Sequence, residues 1–186
     1  KYEDAIKYAE QAIESAKAAN YKEALEQSKY VMALSYEILK NTTKANELYR
    51  ELIKENTKKP DVYIKIFAAN QAEKQTDKAI NVLKRGVKNL PDNAQLKALL
   101  GSTYLQAGQK EEAEKIVQSL LALGEKKEVF NYVGDIYRDA SDIAKAEEYY
   151  NKSLALDTAQ TDAYFGLALT YFNKAVDVLK EADKVP

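Results

Sequence analysis

Phe130-Asn131-Tyr132-Val133-Gly134-Asp135-Ile136-Tyr137, followed across a polar turn by Ala146, Tyr150 and Leu154, carries the architecture of this chain. An aromatic residue leads, an aliphatic residue and a glycine follow, a tyrosine closes the first helix, and a small residue opens the second. A small residue on each helix lets the pair approach closely, while the large residues above and below fill the groove that remains. The pattern recurs as Leu100-Gly101, Tyr104 and Ala113. Beyond it, Ala45, Ala79, Ala113 and Ala146 are spaced by 34, 34 and 33 residues. Tyr36, Tyr104, Tyr137 and Tyr171 keep the same phase, with a gap only at Asn70. Two ladders in one phase place a helix hairpin in each period.

Composition narrows the function before any site is considered. Among 186 residues, 46% are hydrophobic and 31% charged, an ordinary balance for a chain able to bury a core. Lys plus Arg (28) nearly cancels Asp plus Glu (29), so there is no basic excess to neutralise phosphates or anionic lipid, and no nucleic-acid partner is expected. No apolar stretch approaches the roughly 20 residues that span a bilayer, so no integral membrane segment is expected. Cys and His are both absent. That removes disulfide frameworks, thiolate chemistry and Ser-His-Asp arrangements, and no glycine-rich loop follows a strand to cradle phosphate. The expectation is a chain with no catalytic residues, no metal site and no cofactor. No initiator Met precedes Lys1, which leans the localisation to exported or periplasmic, with cytoplasmic as the alternative.

Glycine and proline are sparse (6 and 3) and helix formers dominate, so strands have no foothold. Tyr2, Ala5, Ile6, Ala9, Ala12, Ile13 and Ala16 recur at three and four, predicting a helix from Tyr2 to Ala18. A second helix, Tyr21 to Lys40, turns Ala24, Leu25, Ser28, Met32, Ser35 and Leu39 inward. Residues 1–25 thus form an N-terminal helix and the start of an irregular first hairpin. Four repeats follow, over 26–59, 60–93, 94–126 and 127–160, each split at a polar turn. Asn41-Thr42-Thr43, Gln75-Thr76-Asp77, Gly108-Gln109-Lys110 and Ser141-Asp142 supply side chains that can cap the second helix. Residues 161–186 complete the single expected domain as an atypical or truncated repeat. There the polar turn never arrives. Tyr164, Ala168, Tyr171, Ala175, Val178, Ala182 and Val185 form one stripe, and Phe165, Leu169, Phe172, Val176 and Leu179 another, predicting one helix from about Asp162 to Lys184. Its wide apolar face needs a cover, either further chain folded back as a helix or a second copy in a homodimer.

From Glu26 to about Lys174 these residues resemble the tetratricopeptide repeat (TPR) family. Phe67 stands where Gly or Ala is usual, Asn70 where Tyr is usual, and Lys29 and Lys97 replace the leading aromatic of their repeats. None of these departures breaks the phase. The resemblance implies an all-α fold, a right-handed α-solenoid of helix hairpins, whose first helices line a concave groove that binds a peptide or partner protein. Carried over position by position, it places Ile64, Lys65, Ala68 and Gln71, then Leu99, Ser102, Leu105 and Gln106, then Asn131, Tyr132, Asp135, Arg138 and Asp139 in that groove. Some members grip a peptide's terminal carboxylate with Lys, Asn and Arg; here those places hold Ile64, Ala68, Leu99, Glu128 and Tyr132, so that clamp is absent.

Two plainer readings stand beside these. Asp135 and Asp139, four apart with Arg138 and Asp142 near, suit an ion-paired or solvated helix face better than paired catalytic acids or a cation site. Most of the 14 tyrosines are expected at repeat core positions, not on a stacking surface for bases. The function expected is a non-catalytic protein-interaction scaffold. Tyr132 and Arg138 are its anticipated anchors, whose truncation should weaken binding and spare the melting temperature. The alternative is a structural module that oligomerises or links domains through its ends or convex face, with Phe165, Leu169, Phe172, Val176 and Leu179 as end-face contacts.

Overall fold

The computed structural model of the chain describes residues 1–182. The described residues hold ten α-helices and no strand. They divide into two compact units, one over Lys1–Pro91 and one that begins at Asp92. The division falls in Leu90-Pro91-Asp92-Asn93, where proline resists continuation of a helix and Asn93 caps the next one by accepting from the Leu96 amide at 2.9 Å.

In the first unit the helices are α1 (Tyr2–Ala18), α2 (Lys22–Ile38), α3 (Thr42–Lys54), α4 (Pro60–Ala72) and α5 (Thr76–Asn89), each packed on the one before it. The inward face of α1 is Ala9, Ile13 and Ala16, while Tyr2 is exposed. In α2 the buried residues are Lys29, Ala33 and Ser35. Leu39, expected inward, is exposed because the helix stops at Ile38 and leaves Leu39 as its cap.

In the second unit α6 (Ala94–Gln106), α8 (Lys127–Asp139) and α10 (Thr161–Ala182) pack side by side, with α7 (Lys110–Leu121) and α9 (Ile143–Leu156) against them. The helix α10 runs through Asn173 without a break. Lys184 and Val185, part of the expected helix and stripe, lie outside the described residues.

The four turns that split the repeats close in one way, which the α1–α2 turn at Asn20 shares. Lys40, Lys74, Gly108 and Ser141 sit at φ of 59, 57, 75 and 58°. The next amide then reaches back to the end of the preceding helix, Asn41 to Tyr36 O at 2.8 Å, Gln75 to Asn70 O at 2.8 Å, Gln109 to Tyr104 O at 2.8 Å and Asp142 to Tyr137 O at 2.9 Å. This left-handed closure satisfies carbonyls that the helix end leaves free. Only Gly108 adopts it without a Cβ penalty. Of the expected caps, Asn41 and Asp142 accept from the amides of Lys44 and Lys145, each at 3.2 Å. Gln75 and Gln109 make no such bond, since the extra methylene carries the amide past the helix start that a shorter side chain reaches.

The alanine ladder is the floor of the core. Ala45, Ala79, Ala113 and Ala146 are all buried. A Cβ on Gly101 would meet Ile136 Cδ1 at 2.8 Å, so glycine there sets the closeness of α6 and α8. The tyrosines divide otherwise than expected: Tyr49, Tyr63, Tyr104, Tyr137 and Tyr150 are buried, but Tyr2, Tyr8, Tyr21, Tyr164 and Tyr171 are exposed. Where lysine replaces the leading aromatic, its stem takes the buried place and its ammonium finds an acceptor. Lys29 pairs with Glu55 at 2.6 Å and Glu51 at 3.0 Å, and Lys97 donates to Ser119 O at 2.9 Å. Burial pushes the Lys29 ammonium down, but the two glutamates outweigh it and hold the group above its ordinary value. With no such pair, burial leaves Lys97 below its ordinary value.

Candidate functional site

A cleft of about 380 Å³ lies between α8 and α10 in the second unit. Helical spacing builds both walls. On α8, Glu128, Asn131, Tyr132, Asp135 and Arg138 follow at three and four residues; on α10, Asp162, Phe165, Gly166 and Leu169 do the same. The separation of the walls is set by Tyr150 of α9, which is fully buried and stands between two glycines. A Cβ on Gly134 would meet its ring at 2.7 Å, and a Cβ on Gly166 would overlap it. Glycine at both places admits the ring and lets its hydroxyl reach the cleft.

At that hydroxyl the polar groups interlock. Tyr150 donates to Asp135 Oδ1 at 2.7 Å and accepts from Arg138 Nη1 at 3.0 Å. Arg138 Nη1 also donates to Asp135 Oδ1 at 2.5 Å, and Nη2 and Nε donate to Asp139 Oδ1 at 2.9 and 3.2 Å. The ion-paired reading of these acids therefore holds, with a buried phenol added. Asp142 is occupied elsewhere, as the cap of α9. Burial pushes the Asp135 carboxyl above the usual range, against the pull of the Tyr150 hydrogen bond and the Arg138 charge. Tyr132 is held above its ordinary value by burial and then by the carboxylates of Asp135, Asp162 and Glu128. Asn131 is 8% exposed, and its carboxamide oxygen is buried with no hydrogen-bond partner among the described residues.

The cleft thus gathers Asn131, Tyr132, Asp135 and Arg138, with Asp139 attached through Arg138. It also takes Phe165 and Leu169, which the sequence assigned to an end face; Phe172 and Leu179 are exposed, and Val176 is half-buried. The other groove candidates are not among its lining residues. On α6, Ser102 is buried, Leu99 and Leu105 are half-buried, and Gln106 is exposed. In the first unit, Ile64 and Gln71 on α4 are half-buried, Ala68 is exposed, and Lys65 is bound to both carboxylate oxygens of Glu37 at 2.8 Å. That Glu37 also accepts from Tyr49 at 2.8 Å. The expectation that Arg138 can be truncated without loss of stability is corrected here, because its guanidinium neutralises two acids and braces Tyr150. Sequence reasoning passed over Gly166 and Tyr150 as site residues. The signal was present, since Gly101, Gly134 and Gly166 are spaced by 33 and 32.

Phenols bonded to carboxylates recur through both units. Burial first, and then Glu37, Glu114 and Asp135 respectively, push Tyr49, Tyr137 and Tyr150 far above their ordinary value. Tyr30, bonded to Asp61, is pushed up to about 12. An acid raised in the folded state binds its proton more tightly there than in the unfolded chain. The associated stability is present below the unfolded phenol value of about 10 and is lost as pH rises past it. Spectrophotometric titration should show these four phenols ionising only as the helices melt, with the unfolding temperature falling steeply between about pH 9.5 and 11.5. Ionisation of all tyrosines in one step with helicity intact would contradict this.

Helix hairpins closed on small residues, with first-helix side chains presented to a cleft, define the TPR class of helical repeat. The tetratricopeptide repeat pattern matches residues 39–101, 70–131 and 129–160. The chain belongs to the tetratricopeptide repeat family. Human protein IFIT1 homolog B is 32% identical over 87 residues, 46% of this chain and 18% of that protein. Human antiviral innate immune response effector IFIT1 is 30% identical over 103 residues, 55% of this chain and 21% of that protein. The chain spans about a fifth of the length of these curated relatives. Among solved structures, BtubC from P. vanneervenii superposes with a TM-score of 0.61 at 21% identity, over 98% of this chain and 87% of its own. YrrB, a TPR protein with an unusual peptide-binding site, superposes at 0.55 with 17% identity, over 87% of this chain and 89% of its own. At these identities the likeness shows the fold: an all-α solenoid of TPR hairpins.

Proposed function

We propose that this chain is a non-catalytic protein-interaction scaffold whose α8–α10 cleft takes an extended segment or a helix of a partner protein. The carrying observation is the cleft itself. It sets an aromatic and aliphatic wall of Tyr132, Phe165 and Leu169 beside the unpartnered carboxamide of Asn131. Apolar side chains supply area, and a free amide supplies a partner for a peptide backbone. TPR proteins generally mediate protein–protein interactions, and the peptide-binding site of YrrB supports the same use of the fold here.

The test is a selection of random peptides displayed on phage against the immobilised chain, followed by titration of the selected peptides. Tyr132→Ala should weaken them about tenfold or more, since an aromatic anchor at the centre of an interface carries a large share of the binding energy. Phe172→Glu with Leu179→Glu should leave them unchanged. The reverse result favours the second reading, assembly through α10, for which the observation is its outer face: Phe172, Val178 and Leu179 are 64, 60 and 65% exposed. In that reading the occupant is a second copy, and sedimentation velocity should show a dimer that the two glutamates dissolve.

A further inference from the structure

We propose that the occupant of the α8–α10 cleft is a cationic and apolar segment, one that presents a Lys or Arg side chain to Glu128 and Asp162 and apolar side chains to Phe165 and Leu169. This rests on the groove reading above and adds the chemistry of the partner.

The charge inventory is one-sided. Glu128, Asp135, Asp139 and Asp162 gather at the cleft against the single cation Arg138. Arg138 is spent, bound to Asp135 and Asp139. Lys127, next to Glu128 in the chain, is held by Asp157 at 2.5 Å, and its ammonium also feels the charges of Glu128 and Asp162 at longer range. Glu128 and Asp162 are exposed, and the ion pairs of the neighbouring cations go to Asp157, Asp135 and Asp139 and not to them. The net charge of the whole chain is only −1, so this local excess of carboxylate is a concentration and not a reflection of composition. Tyr132 lines the α8 wall, and Asp135, Asp162 and Glu128 all act on its phenol. A cation over that ring gains from the carboxylates and from the ring face together.

Asn131 gives the second, independent indication. It is buried, it lines the cleft, and its carboxamide oxygen has no donor. A buried acceptor without a partner is costly, and native structures leave few of them. The oxygen is closed to solvent, so an N–H entering the cleft supplies what it lacks once the carboxamide turns toward the occupant. The same field repels phosphates and acidic tails, which excludes nucleic acid and carboxylate-terminated segments as occupants.

Three labelled peptides of about twelve residues, capped at both ends and alternating Leu with Lys, Gln or Glu, separate the possibilities. Titration by anisotropy gives affinity, and nitrogen–proton NMR reports the Asn131 side-chain amide and the Tyr132 backbone amide. The Leu-Lys peptide should bind about tenfold or more tighter than Leu-Gln, shift both reporters, and weaken as salt is raised; Leu-Glu should not bind. Glu128→Gln with Asp162→Asn should bring Leu-Lys down to the affinity of Leu-Gln, with the helical circular dichroism unchanged, since both acids are exposed. Equal binding of Leu-Lys and Leu-Gln with both reporters shifted overturns the cationic preference and leaves the groove reading standing. Tighter binding of Leu-Glu does the same. A lysine preference that survives the double substitution places the binding elsewhere and overturns the proposal. If none of the three peptides moves the reporters, the proposal and the groove reading fall together.

Discussion

Truncating Tyr150 to alanine is expected to destabilise the second unit by about 3–5 kcal/mol, the range for emptying a large buried aromatic site. The ring is wholly buried, and Gly134 and Gly166 are shaped to it from two helices, so nothing nearby can collapse into the space. Tyr150→Phe separates packing from polarity. It keeps the ring and removes only the hydroxyl, leaving Asp135 without one donor and Arg138 without one acceptor, at about 1–2 kcal/mol. Gly166→Ala attacks the same contact from outside, because the added Cβ overlaps the ring and must displace α10 or tilt the tyrosine. Urea unfolding of the three variants should rank them with Tyr150→Ala lowest. A Tyr150→Ala cost near that of Tyr150→Phe would mean the ring is not what holds α8, α9 and α10 together.

That junction shows what the sequence makes legible and what it hides. Short-range periodicity carries most of the fold: the alanines at 34, 34 and 33 are all buried, and α10 is unbroken where the polar turn is missing. Such features depend on neighbours three or four residues away or on a strict repeat, and both leave a pattern in one dimension. The tyrosines do not obey that rule. A phenol is apolar in its body and polar at its tip, so it serves equally in a core, at a rim or on a surface, and its position in a repeat does not settle which. Tyr104, Tyr137 and Tyr171 share a phase, yet Tyr171 lies 46% exposed because α10 has no later helix packed on it within the described residues. Lys29 and Lys97 mislead in the opposite sense, as charged residues that occupy aromatic positions by burying their stems.

The site was half legible. Asn131, Tyr132, Asp135 and Arg138 sit on one helix face, and helical spacing alone brings them together. What joins them to α9 and α10 is tertiary. Tyr150 lies 15 residues from Asp135 in sequence, and its place was readable only as a repeat residue, not as the donor that fixes the carboxylate. Glu128 entered the reading as the loss of a carboxylate clamp. Its partner in charge, Asp162, belongs to the next first helix, and only the packing of α8 on α10 sets the two on facing walls.

Arg138→Ala is the variant in which this packing has a measurable electrostatic signature. Its side chain is 17% exposed and that of Asp135 36%, so the loss falls short of breaking a fully buried pair and is expected near 2–3 kcal/mol at neutral pH. The sign of its pH dependence follows from Asp135. Burial already raises that carboxyl in the folded state. An acid raised on folding binds more protons folded than unfolded in the interval above its unfolded value of about 3.9, so the penalty of ionising it in place is relieved as pH falls through the folded value. Removing Arg138 removes a cation that opposed the rise, and the interval widens. Urea unfolding should therefore find the variant recovering part of its deficit as pH is lowered from neutral toward the unfolded carboxyl value, while the parent changes less over the same span. Adding Asp135→Asn should flatten the difference, because no carboxylate then remains to be stranded. A deficit that stays constant with pH, or grows toward acid, would show that Arg138 contributes by packing its stem and not by holding a buried carboxylate.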